Sequence, residues 1–165
     1  MNKIKLFVKL VLILLLSNCG YSPIYSNSNL KNKELQTISV KNIKDRSGQI
    51  LKANLTDKLN PNGKKSLTKY SLEVVLSEGK ETIGYRRDKS ATRSNLILNV
   101  EYDLKEMKGG TSILKKSILV TSSYDIVESL YATIIAEKDA RNKGLKIISD
   151  NIVNDLAIFF KKNNL

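Results

Sequence analysis

Apolar and polar residues alternate along two stretches of this chain. Tyr70, Leu72, Val74 and Leu76 alternate with Ser71, Glu73 and Val75, and Leu96, Leu98, Val100, Tyr102 and Leu104 alternate with Ile97, Asn99, Glu101 and Asp103. A period of two sends successive side chains to opposite sides of a strand, so each stretch predicts a strand with one buried face. Lys108-Gly109-Gly110-Thr111 supplies residues tolerant of positive φ, and Ile113 to Val120 returns as a further apolar run, which predicts an antiparallel hairpin. Upstream, Leu35 to Ile43 carries Thr37, Ile38, Val40 and Ile43 and predicts a first strand. Between the two alternating stretches, Gly79 to Ser94 fits either long strands meeting at a polar tip or a loop.

Two segments change period. Leu51, Leu55 and Leu59 recur every four residues with Ile50 beside them, one apolar face of a helix of about three turns. Asp45-Arg46-Ser47-Gly48 punctuates the chain before that helix, and Asn60-Pro61-Asn62-Gly63 ends it. A longer helix is expected from near Glu128 to about Lys161, with Ile134, Ala136 and Ala140 holding its first half and Leu145, Ile148, Ile152, Leu156 and Phe159 its second. Gly144 within this pattern costs about 1 kcal/mol relative to alanine, so it marks a kink, a close approach or a tolerated glycine. The order strand, helix, three strands, helix predicts an α+β fold: a two-layer sandwich with a four-stranded sheet and two helices on one face.

The N-terminus has a different character. Lys3, Lys5 and Lys9 precede an apolar run, Leu10 to Leu16, that is too short to span a bilayer and reads as an export signal. The run closes on Leu16-Ser17-Asn18-Cys19, which resembles the bacterial lipoprotein lipobox. The expected division is a signal peptide at 1–18, a lipidated Cys19 with a tether at 19–33, and one domain at 34–165. Acyl chains on Cys19 would anchor the protein, each buried CH2 adding about 0.8 kcal/mol of membrane affinity.

Charge and absences narrow the function. The 28 basic and 16 acidic residues give +12, and without Lys3, Lys5 and Lys9 the balance is 25 minus 16, or +9. Anionic partners are favoured, and export argues against nucleic acid. Arg86, Arg87 and Arg93 cluster with Lys89 in the segment between the alternating stretches, and the arginine fork suits phosphate and carboxylate. A solvated polar loop accounts for the same cluster equally well. There is no histidine, the single cysteine cannot form a disulfide within the chain, and no paired carboxylates or Gly-rich phosphate loop occur at a motif spacing. An enzyme is not expected, and no cofactor beyond the acyl chains.

Several pieces of the chain resemble the LptE family of lipopolysaccharide-assembly lipoproteins in its alphaproteobacterial form. They are Cys19-Gly20-Tyr21-Ser22-Pro23-Ile24-Tyr25, Asp45-Arg46-Ser47-Gly48-Gln49-Ile50-Leu51, Ala91-Thr92-Arg93, and Ala136-Glu137-Lys138-Asp139-Ala140. The resemblance implies a non-enzymatic outer-membrane lipoprotein that plugs the LptD β-barrel, assists its folding and helps deliver lipopolysaccharide to the outer leaflet. It also implies lipopolysaccharide contact at Arg86, with Arg87, Lys89 and Arg93 as neighbours. The family's second basic position, near the start of the last helix, finds no lysine or arginine between Leu130 and Ala136. A chaperone lipoprotein binding lipid or envelope protein in a cavity is the alternative; it would need an apolar pocket between helices and sheet.

Overall fold

The computed structural model describes residues 34–61, 63, 67–85, 87 and 91–163. Its elements are β1 (Ile38–Val40), α1 (Asp45–Leu59), β2 (Tyr70–Tyr85), β3 (Ala91–Glu106), β4 (Ser112–Asp125) and α2 (Leu130–Lys162). They form one sheet of order β1-β2-β3-β4, with β1 parallel to β2 and the other neighbours antiparallel. The α+β architecture and the element order are those the sequence predicts.

The even-numbered positions of the two alternating stretches build the core. Leu72, Leu96, Leu98, Val100 and Leu104 are wholly buried against Leu51 and Leu55 of α1 and Leu145, Ile148, Ile152 and Leu156 of α2. Each such side chain contributes about 1.5–3 kcal/mol by leaving water, so this layer dominates the stability of the domain. Tyr102 lies in the same layer, and its hydroxyl donates to Asp155, 2.6 Å away, which Lys116 meets at 2.8 Å from β4. Burial first, and then the neighbouring Asp155 carboxylate, push the Tyr102 hydroxyl well above its ordinary pKa.

Three local expectations are corrected. The first strand covers only Ile38–Val40 because Thr37 closes a turn on the Glu34 carbonyl through its N–H and its hydroxyl. Asp45-Arg46-Ser47-Gly48 is the first turn of α1 and not a break before it. Asp45 enters that turn at φ 65°, and Gly48 lets it press onto Ile43: a Cβ there would lie 2.7 Å from Ile43 Cγ2 and 3.0 Å from its carbonyl carbon. The third correction concerns Ile134 of α2, which is 54% exposed, whereas Ala140 is buried and Ala136 packs against the core as expected.

The strands between Gly79 and Ser94 are long, as one of the two readings held. β2 and β3 stay paired from Tyr70↔Glu106 to Tyr85↔Ala91, with a register shift around Gly84. Gly109 and Gly110, at φ 100° and 67°, turn the hairpin between β3 and β4. Gly144 is a close approach: a Cβ would stand 2.5 Å from Leu98 Cδ1 and 3.2 Å from Ser122 Oγ.

Candidate functional site

Beyond Leu76 the core-facing side of β2 turns polar, and this is where the hairpin leaves the core. Glu78 and Lys80 occupy positions of the same parity as Leu72 and Val74, and each finds a partner on α2. Lys80 Nζ lies 2.8 Å from Glu137 Oε2, Arg141 Nη2 lies 2.6 Å from Glu137 Oε1, and Arg141 Nε lies 3.0 Å from Glu78 Oε2. The Tyr124 hydroxyl joins from β4, 3.3 Å from Glu137. Burial opposes the Glu137 carboxylate, but the bonds from Lys80 and Arg141 outweigh it and hold its pKa below the ordinary value. These ion pairs fix α2 across the strands that carry the tip.

Arg87 is exposed in the turn between β2 and β3. Arg93 stands on β3 opposite Gly84 of β2 and Asp125 of β4, and its Nε is 3.1 Å from Asp125 Oδ1 with both side chains more than half exposed. Such a pair contributes little, about 0–1 kcal/mol, so the guanidinium can exchange Asp125 for another anion at small cost. The structure thus brings Arg87 and Arg93 to one end of the sheet. Arg86, Lys89 and Cys19 lie outside the described residues. At Gly84 a Cβ would meet Thr92 Oγ1 at 2.7 Å, so the irregular pairing that aims the last residues of β2 depends on this glycine.

Apolar residues missed as a surface by sequence reasoning share this end. Tyr85 is 65% exposed, and Val127, Leu130, Tyr131, Ile134 and Ile135 are exposed where the chain leaves β4 and enters α2. The signal was present in the adjacent pairs Leu130-Tyr131 and Ile134-Ile135. They widen the apolar arc beyond the stripe of Ala140, Gly144, Ile148 and Ile152 that one packing face can hold.

An open cleft of about 700 Å³ separates Lys44, Asp45, Arg46 and Ser47 at the start of α1 from Arg141 and Glu137 on α2. Its lining is charged with both signs. The buried leucines and isoleucines fill the central layer between helices and sheet, and the cleft opens beside it over Leu76, Ser77 and Glu78 of β2, with Ile134 of α2 on its wall.

Carboxylates held by cations make the fold acid-sensitive. Hydrogen bonds from Lys105 and then Lys41 bring the Glu73 pKa from 4.5 to about 2. Glu137 is lowered too, and so is Asp155, where burial is outweighed by Lys116 and Tyr102. A lowered folded pKa gives stability that is complete above the unfolded value and lost as pH falls through the folded one. Urea midpoints should therefore hold from neutral pH to about pH 5 and drop steadily towards about pH 2. Glu73→Gln together with Glu137→Gln should flatten that drop, and an unchanged slope would remove these pairs from the account.

The LptE family model, described as lipopolysaccharide-assembly, matches residues 35–157. The Rickettsia prowazekii (strain Madrid E) protein RP188, itself uncharacterised, is 26% identical over 152 residues, covering 92% of this chain and 94% of that protein. Among solved structures, a lipoprotein of Caulobacter crescentus CB15 superposes with a TM-score of 0.67 at 26% identity, covering 81% of this chain and 96% of its own. The rare lipoprotein B of Shewanella oneidensis shares the fold, with a TM-score of 0.58 at 14% identity, covering 78% of this chain and 97% of its own. The family match takes in α1, all four strands, the tip that they position and α2 as far as Ala157, and on it the chain belongs to the LptE family of lipopolysaccharide-assembly proteins.

Proposed function

We propose that this protein is an outer-membrane lipoprotein, anchored by acyl chains on Cys19, that occupies and helps fold the LptD β-barrel and assists passage of lipopolysaccharide to the outer leaflet. The observation that carries the reading is the family match over 35–157. The tip supports it chemically, because exposed Arg87 and Arg93 stand at the same end as exposed Tyr85 and the apolar start of α2. Lipopolysaccharide offers phosphates to the first group and acyl chains to the second. The protein's contribution is binding and positioning, with no catalysed step. The chaperone is the weaker reading, since side chains fill the central layer and the cleft that opens beside it is lined by charges of both signs.

The test is lipopolysaccharide binding by a variant in which Arg86, Arg87 and Arg93 are all Ser. Binding should fall at least about tenfold, roughly the loss of one charge-assisted contact worth 1.4 kcal/mol. It should weaken with salt in the wild type, because exposed pairs are screened over about 8 Å at physiological ionic strength. Lysine at the same three positions should give an intermediate loss, charge being kept and bidentate geometry not. Unchanged binding by a triple Ser variant with a native circular dichroism spectrum would return the cluster to solvent.

A further inference from the structure

The two ends of the sheet stand far apart. β2 runs sixteen residues from Tyr70 to Tyr85, about 50 Å long, with the tip at one end and the Tyr70↔Glu106 pair at the other. The arginines lie at the tip, and the far end has a chemistry of its own. There the Met107 N–H donates to the Lys69 carbonyl at 2.8 Å, which brings the chain entering β2 against the chain leaving β3. Leu67 is 85% exposed and Met107 57% exposed. The last turn of α2 ends at the same place, since the Phe160 ring lies 5.2 Å from that of Tyr70, and it carries Lys161 and Lys162. Lys108, Lys161 and Lys162 are exposed and make no ion pair among the described residues. The carboxylates here are Glu106 and Glu34, the latter held by Lys69 at 3.1 Å, while Asp57 and Lys58 in the last turn of α1 offset one another. This end is left positive.

The described chain also begins here, with Glu34 against Lys69. Fourteen residues separate Glu34 from Cys19, and even fully extended they reach no more than about 50 Å. A leaflet that holds acyl chains on Cys19 is therefore kept near this end, and it could come level with the tip only at full stretch. Exposed apolar side chains beside unpaired lysines suit an anionic lipid surface. The apolar groups enter below the headgroups, and the ammonium groups stay at the phosphates on their flexible stems.

We propose that this end lies on the anionic phospholipid leaflet in which Cys19 is anchored, with Leu67 and Met107 in the headgroup layer and Lys108, Lys161 and Lys162 at the lipid phosphates. The inference rests on the lipidation of Cys19 proposed above. It accords with a place inside a barrel, because the anchoring leaflet lies outside the barrel wall and the tether has to pass the rim, where this end then stands. The tip is carried about 50 Å away, against about 40–45 Å for a bilayer with its headgroups, and so reaches the opposite leaflet.

The chain has no tryptophan, so a single introduced one reports its own surroundings. Leu67→Trp and Met107→Trp would be made in the full-length lipidated protein, with Leu119→Trp on the open face of the sheet and Tyr85→Trp at the tip for comparison. In vesicles of phosphatidylethanolamine with phosphatidylglycerol brominated on its acyl chains, emission of the first two should fall at least about twofold, and that of the other two should not change. Replacing Lys108, Lys161 and Lys162 together by Gln should reverse the quenching, as should salt at about 1 M, which shortens the screening length to about 3 Å. Vesicle-bound protein whose Leu67→Trp and Met107→Trp emission stays unquenched overturns the proposal and leaves the anchor standing. Equal quenching in brominated phosphatidylcholine does the same by showing that charge plays no part, and quenching of Tyr85→Trp instead does so by turning the molecule over. Protein that fails to float with the vesicles and carries an unmodified Cys19 by intact mass overturns the anchor and the proposal with it.

Discussion

Leu98→Asp should unfold the domain. Leu98 is wholly buried at the centre of β3, and Gly144 of α2 rests directly upon it. A carboxylate there loses its hydration with only hydrocarbon around it, a loss of about 4 kcal/mol or more even if the group protonates. That is a large part of the 5–15 kcal/mol that a typical domain has to lose. Asn99→Asp, one residue along and on the exposed face, should change stability by no more than about 0.5 kcal/mol. Thermal melts of the two variants decide the matter, and equal destabilisation would mean that the faces of β3 are reversed.

Gly144→Val should be the next most damaging. In an exposed helix, glycine is the weaker choice by about 1 kcal/mol, so propensity alone favours replacing it. Packing reverses the sign, because the added Cβ would stand 2.5 Å from Leu98 Cδ1 and 3.2 Å from Ser122 Oγ, with Leu98 enclosed on every side. Overpacking of this kind destabilises by roughly 1–3 kcal/mol, and the two methyls of valine place the change at the upper end. Denaturant midpoints should fall for Gly144→Val, fall less for Gly144→Ala, and stay level or rise for Asn142→Ala on the exposed side of the same helix. A more stable Gly144→Val would show that α2 can stand off the sheet.

These two positions also show what the sequence made legible. Leu98 declared itself through strict alternation, a local property that needs no knowledge of the fold. Gly144 declared an anomaly without a reason, since its neighbour lies on a strand more than forty residues earlier. The tip half of β2 was harder still. Its core-facing positions carry Glu78 and Lys80, which look solvated until Glu137 and Arg141 of α2 are placed opposite them. The first turn of α1 was hidden because Gly48 reads as a breaker, whereas here it admits Ile43. At the tip, the nearness of Arg87 and Arg93 in sequence carried over to the fold, because the hairpin brings both to one end of the sheet. The exposed apolar start of α2 was absorbed into the helical pattern, because periodicity does not say which of two faces meets the sheet.

The family assignment and the tip together lead to an assembly role, and that role has a direct test. The full-length protein, lipidated and extracted in mild detergent from the envelope of its own cell, should bring with it a large β-barrel of the outer membrane in equal amount. Lipopolysaccharide should accompany the pair. Recovery of the protein alone, with the barrel of the same extract remaining unbound, would contradict the account.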